Sequence, residues 1–130
     1  MYKTEFFKTC YNGKDTNGII YKFERSQGWA ELFEAPDGQP VEIVIHKDSP
    51  KGYWHSTETT TGLSINKTGR TRAEVLQQIT PDFLNRITEA LNKDINKKLK
   101  NKLANFILSE EAKHDYNINT IISDHDYISS

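Results

Sequence analysis

PDFLNRITEALNKDINKKLKNKLANFIL, residues 81–108, is the most informative segment of the sequence for the fold. Its apolar residues recur every three or four positions, which predicts an amphipathic helix. At about 100° per residue, however, the apolar side chains before residue 96 and those after it centre on directions more than a quarter-turn apart. A single straight helix would therefore bury only one of these two groups against a common core.

Two arrangements would bury both groups of apolar side chains. In one, the helix breaks near Asn96 and both halves pack on the same sheet. In the other, the helix stays long and its second half contacts another protein or a second copy of this chain. The sequence leaves both open, and in either case the second group is the predicted partner-binding surface. Its members are Leu99, Leu103, Phe106 and Ile107.

The first 66 residues show the period of a sheet. Ile19–Arg25 places apolar residues on one face and charged residues on the other, as in a half-buried strand. Turn signals such as Pro36-Asp37-Gly38 separate the apolar runs, and Ser26-Gln27-Gly28 is interpreted as a short hairpin connection. The pattern predicts an antiparallel meander of five or six short strands over about residues 2–66.

Capping signals mark the start of the helical half. Thr71-Arg72-Ala73-Glu74 has the spacing of a capping box, in which the threonine hydroxyl and the glutamate carboxylate each accept from a backbone amide. Thr80-Pro81 combines a good N-cap with a proline at the first helical position. These signals predict helices over about 72–79 and 81–110 that cover the sheet, so the predicted fold class is α+β.

Length and composition indicate one domain, predicted over residues 1–113, followed by an acidic tail over 114–130 of the kind that is often mobile. Cys10 is the single cysteine, which excludes an intrachain disulfide. No apolar run approaches the roughly 20 residues of a membrane span, and the N-terminus lacks a signal-peptide core. The chain is therefore predicted to be cytoplasmic, with no membrane partner and no cofactor.

Basic residues are concentrated in the second half of the long helical stretch. We interpret most of them as an ordinary solvated helix face. The alternative is a contact with nucleic acid or with an acidic partner, although the net charge of −1 argues against a general nucleic-acid binder. The residues of this alternative are Lys93, Lys97, Lys98, Lys100, Lys102, Arg70 and Arg72.

Aromatic residues offer a second route to nucleic acid, because exposed aromatic side chains on a sheet can stack single-stranded bases. The sequence favours core filling instead, since a chain this short needs large side chains in its core. The aromatic residues on predicted strands are Tyr21, Phe23, Trp29, Phe33 and Trp54.

Two histidines raise the question of catalysis. His46 ends one predicted strand and His55 lies on the next, so that Glu42 or Glu58 could assist general acid–base chemistry in a small hydrolase-like enzyme. No nucleophile or metalloprotease motif accompanies them. The chain is therefore predicted not to be an enzyme.

The tail repeats His-Asp-Tyr at 114–116 and 125–127, which would supply ligands for a divalent metal if a helix aligned the two copies. The intervening Asn and Ile residues are poor helix formers, so the repeat is interpreted as chance and no metal site is predicted.

The leading functional prediction is a small non-catalytic protein-binding module. In size, near-neutral charge and lack of motifs, the chain resembles accessory proteins of phages and mobile elements, including inhibitors of host defence such as anti-CRISPR proteins. The resemblance concerns size and composition, and covers no stretch residue by residue. It implies action by protein–protein contact. A nucleic-acid-binding protein is the alternative, and a hydrolase around His46 and His55 comes third.

Overall fold

A computed structural model describes residues 1–47, 49–109 and the backbone of 117–123. In chain order its elements are β1 (Tyr2–Asp15), β2 (Gly18–Glu34), β3 (Pro40–His46), β4 (His55–Glu58), α1 (Arg72–Gln77), α2 (Pro81–Leu91), α3 (Asp94–Leu108) and β5 (Asn117–Ser123). The predicted α+β class with an N-terminal sheet is confirmed. None of the described helices is long and apolar enough to cross a membrane.

The sheet is antiparallel and is organised around the long strand β2. β1 pairs along one edge of β2, and the order continues from β2 to β3 and β4. The other edge of β2 is shared, since β3 pairs with Trp29–Glu34 and β5 pairs with Gly18–Glu24. β5 lies within the segment predicted as an acidic tail, so seven residues of that segment belong to the sheet.

The predicted number of five or six N-terminal strands is wrong, because four strands form there. Ser26-Gln27-Gly28 is not a hairpin connection but continues β2, opposite Thr4–Phe6 of β1. Gly28 is needed for close packing rather than for a turn. A Cβ atom at this position would lie 2.5 Å from Cγ1 of Val44 and 2.7 Å from the Ile45 carbonyl oxygen.

Substitution of Gly28 tests this reading of β2. We expect Gly28→Ala to lower the free energy of unfolding by about 1–3 kcal/mol, because the new methyl group overlaps β3. Gly52→Ala is the matched control, since its Cβ would lie 3.4 Å from the nearest atom and meet no backbone strain. Urea denaturation of both variants measures the difference. Equal stabilities would contradict the close approach at Gly28.

The long helical stretch breaks at Asn92-Lys93, slightly before the predicted position, so the first of the two predicted arrangements is the one observed. Asn96 stabilises the break because its side-chain amide donates to the Ala90 carbonyl oxygen at 2.7 Å, near the end of α2. The change of direction lets each helix cover a different part of the sheet. α2 packs on the β3 side of the core, and α3 packs on Phe23 of β2.

This arrangement corrects the predicted partner-binding surface. Leu99, Leu103 and Phe106 are buried and form one core cluster with Phe23, so they contact the chain's own sheet and offer no surface to a partner. Ile107 is 48% exposed and is the one predicted member that remains accessible. The physical reason is that the helix break turned the second apolar group onto the sheet.

A buried carboxylate stabilises the turn after β4, and the backbone of this turn hydrogen-bonds to β1. Glu58 is buried and accepts hydrogen bonds from the backbone amides and the hydroxyl groups of Thr60 and Thr61, at 2.7–2.9 Å. The next residue, Gly62, has a positive φ of 71°. Its carbonyl oxygen accepts from the Thr9 amide of β1 at 2.7 Å. The turn therefore connects the end of the β1–β4 path back to β1.

Candidate binding surface

Two tryptophans are brought together at one end of the sheet. Trp29 lies on β2 opposite Ile45 of β3. Trp54 precedes β4 and exchanges two backbone hydrogen bonds with Gly69, at 2.8 and 3.1 Å. This pairing places the residues after Gly69 beside the Trp54 ring.

The capping box then fixes the start of α1. The Thr71 hydroxyl accepts from the Glu74 amide at 3.1 Å, and the Glu74 carboxylate accepts from the Arg70 amide at 2.7 Å. The predicted cap is thus confirmed, with Arg70 as the donor to the carboxylate. Gly69 permits it, because a Cβ there would lie 2.8 Å from Cβ of Glu74. Arg72 follows as the first helical residue.

Arg72 contacts both tryptophans. Its guanidinium carbon lies 4.4 Å from the centre of the Trp29 ring and 5.6 Å from that of Trp54. The Lys47 ammonium lies 5.4 Å from the Trp54 ring centre. These distances fall within the range of cation–π attraction. All four side chains are half-buried, and we call them the tryptophan–arginine cluster: Trp29, Lys47, Trp54 and Arg72.

Two shallow concavities adjoin the cluster. One, of about 540 Å³, is lined by Met1, Trp29, Thr71, Arg72, Ala73 and Leu76. The other, of about 350 Å³, is lined by Lys51, Gly52, Tyr53 and Arg70. The first is largely apolar apart from Arg72, whereas the second carries two exposed cations and an exposed tyrosine. The apolar recess thus includes Trp29 and Arg72 of the cluster, whereas the basic recess is formed by residues that are neighbours of Trp54 and Arg72 in the sequence.

The cluster and its neighbours in the sequence form a region with four cations, in which the Glu74 carboxylate also lies, 2.7 Å from the Arg70 amide. Its cationic side chains are Lys47, Lys51, Arg70 and Arg72. Within the described ranges, no carboxylate forms an ion pair with any of the four, and the nearby Glu31 pairs with the N-terminal ammonium at 3.1 Å. Asp48, beside Lys47 in the sequence, lies outside the described residues. The chain's net charge of −1 therefore conceals a local basic surface.

The predicted basic residues do not form one surface. Lys98 is buried and Lys102 half-buried, while the exposed lysines of the set lie on α3 or at its N-cap, and α3 packs on Phe23. Arg72 lies instead over the ring of Trp29, six residues further along β2 than Phe23, and Arg70 precedes α1. The exposed lysines are Lys93, Lys97 and Lys100.

Sequence reasoning missed the two tryptophans and Lys47 as surface residues. Among the strand aromatics, Phe23 is buried in the core, and Tyr21 and Phe33 pack against its clusters, as core filling predicts. Trp29 and Trp54 are only half-buried and contact Arg72. Their positions on strands can be read from the sequence. The alternation of apolar and polar residues does not show, however, which aromatic side chains a helix covers.

The two histidines are neighbours, as the strand reading predicted. His46 and His55 lie opposite each other, with ring centres 6.0 Å apart. His46 is buried, and its Nε2 lies 2.8 Å from the Thr57 hydroxyl oxygen. The two glutamates considered as partners bond elsewhere. The Glu58 carboxylate caps its own turn, and the Glu42 carboxylate accepts from the Tyr2 hydroxyl.

The hydrogen bond to Glu42 also acts on Tyr2. It raises the pKa of the Tyr2 phenol above its ordinary value, because the carboxylate stabilises the protonated form. The bond is present at neutral pH and is lost as the pH rises through that raised pKa. It connects β1 to β3 near the rim of the sheet.

The histidine-containing repeats at 114–116 and 125–127 lie outside the described residues. Within the described part of the chain, no three His, Cys, Asp or Glu side chains are grouped so as to hold a metal ion. Comparison of the chain with protein-family models, with curated proteins and with solved structures found no match.

Proposed function

We propose that this protein is a non-catalytic protein-binding module and that the tryptophan–arginine cluster is its contact surface. The observation that carries the proposal is the position of Arg72, which contacts two half-buried indole rings and forms no ion pair among the described residues. Tryptophan, tyrosine and arginine are the residues most enriched among those that dominate binding energy at protein interfaces.

Contacts within the chain also restrict Arg72 before any partner binds. Arg72 begins a capped helix, and two aromatic rings restrict its side chain. Side chains that are already restricted lose less conformational freedom on binding, so more of the contact energy appears as affinity. Exposed neighbours such as Tyr53 enlarge the available area. That this protein inhibits a host defence system stays a prediction.

A second candidate function is binding of single-stranded nucleic acid, which the mixture of basic and aromatic side chains supports. We rank it second because both indole rings already contact cations and the net charge of the chain is −1. Affinity for a mixed oligonucleotide that falls steeply with added salt would favour this candidate.

A charge reversal tests the proposed function. We expect Arg72→Glu to reduce capture of the protein's partner from lysate of the encoding organism by at least about tenfold, since it removes a central contact. Arg86→Glu on α2 is the matched control, because Arg86 is exposed and lies outside the cluster. Quantitative mass spectrometry of the captured proteins, after thermal melting shows both variants folded, gives the readout. Equal capture by both variants would contradict the proposal.

A further inference from the structure

The positive charge of the cluster limits the chemical class of partner that can bind to it. Lys47 and Arg72 both lie at the contact surface, and no described carboxylate forms an ion pair with either. An uncharged partner would have to cover these cations without compensation, which costs free energy, whereas carboxylates would both compensate the charge and accept hydrogen bonds. Arg72 is suited to binding a carboxylate, because a guanidinium group binds a carboxylate through two parallel hydrogen bonds.

The apolar recess indicates which kind of side chain the partner inserts at this surface. Met1, Trp29, Ala73 and Leu76 contribute its apolar lining, and Arg72 lies at the same site. A large aliphatic or aromatic side chain would fill this recess and remove its lining from water, which is favourable at about 25 cal/mol per Å². A second, basic recess lined by Lys51 and Arg70, which lie within three residues of Trp54 and Arg72 in the sequence, would attract further acidic residues.

We propose that the tryptophan–arginine cluster recognises a short acidic peptide segment in which carboxylates flank one large apolar side chain. The apolar side chain occupies the recess lined by Trp29 and Leu76. Carboxylates contact Arg72 on one side and Arg70 on the other. This inference rests on the proposed function and names the class of partner.

A single-stranded nucleic acid fits the same surface less well. Base stacking needs an accessible aromatic face, and Arg72 already lies over Trp29 at 4.4 Å. The recess is also lined by Met1, Ala73 and Leu76, which match an aliphatic or aromatic side chain better than a phosphate backbone. We therefore treat nucleic-acid binding as an outcome of the test.

The chain carries its own reporter for this experiment, because Trp29 and Trp54 are its two tryptophans and both belong to the cluster. The probe is a short fluorescein-labelled peptide of aspartate and glutamate around one central leucine. Its binding is followed by anisotropy and by tryptophan fluorescence. Two comparison ligands are the same peptide with serine in place of leucine and an oligothymidylate of equal length.

We expect saturable binding of the leucine peptide, with an affinity at least about tenfold lower for Arg72→Gln and unchanged for the control Arg86→Gln. The serine peptide should bind several-fold more weakly. The inference is overturned if the leucine peptide shows no saturable binding up to about 1 mM. It is equally overturned if the serine peptide binds as well, or if oligothymidylate binds more tightly.

The two proposals fail in different ways. If partner capture depends on Arg72 but the acidic peptide does not bind, only the class of partner is wrong. If capture is independent of Arg72, the cluster is not the contact surface and the proposed function fails, whatever the peptide does.

Discussion

Replacing Glu58 by glutamine should lower the free energy of unfolding by about 1–3 kcal/mol, the cost of leaving a buried hydrogen-bonding group without its partner. The carboxylate is buried and accepts from two backbone amides and two hydroxyl groups of Thr60 and Thr61. A glutamine side chain would keep one acceptor oxygen and turn an NH₂ group towards the remaining donors. Whichever way the amide faces, a backbone amide of Thr60 or Thr61 then loses its acceptor, whereas the hydroxyl groups can turn to accept from the NH₂ group.

The control for this prediction is Glu89→Gln, because Glu89 is exposed on α2 and its replacement should change stability by no more than about 0.5 kcal/mol. Urea denaturation at neutral pH measures both variants. A Glu58→Gln variant as stable as the control would show that the carboxylate does not hold the turn. Because this turn connects β4 to β1 through Gly62 and Thr9, we also expect its loss to weaken the pairing of the whole sheet.

Replacing Leu103 by alanine should cost about 2–5 kcal/mol, because the missing methyl groups leave a cavity against Phe23 and Leu99. Leu108→Ala on the same helix provides the comparison. Leu103 is 1% exposed and Leu108 is 82% exposed, so the second substitution should leave stability within about 0.5 kcal/mol of the parent. Both leucines lie on α3, so differences in helix propensity cancel.

This pair of variants also separates the two roles considered for the second half of the helical stretch. A residue of the core affects the unfolding of the isolated chain, whereas a residue of a partner surface affects binding alone. Thermal melting and urea denaturation of the purified protein therefore suffice. Equal stabilities of the two alanine variants would contradict the burial of Leu103 and indicate that it belongs to a partner-binding surface.

Local signals in the sequence predicted several features correctly. The caps at Thr71 and Thr80 depend on contacts between residues three positions apart, so they can be identified without tertiary information. The shift in apolar direction left two alternatives, a break near Asn96 or a continuous helix with a partner, and the first is observed because α3 begins at Asp94. The proximity of His46 and His55 followed from simple strand order.

Other features depended on contacts that the sequence does not reveal. Gly28 looked like part of a turn because glycine is common in turns, but it serves the close approach of β3. Leu103 looked like a candidate contact residue because its apolar direction differed from that of α2, but the sheet continues far enough under α3 to bury it. In both cases the residue type was informative and the neighbour was unknown.

Residue patterns along the chain predicted the class of the fold and the starts of α1 and α2, because these depend on neighbours within a few residues, and they offered a helix break near Asn96 as one of two alternatives. Only the tertiary structure decided which apolar face is covered and where a surface remains. Trp29, Trp54 and Arg72 are separated by 25 and 18 residues and meet through strand pairing and the Trp54–Gly69 bridge. Periodicity shows which side chains share a face, but what packs against that face depends on distant parts of the chain.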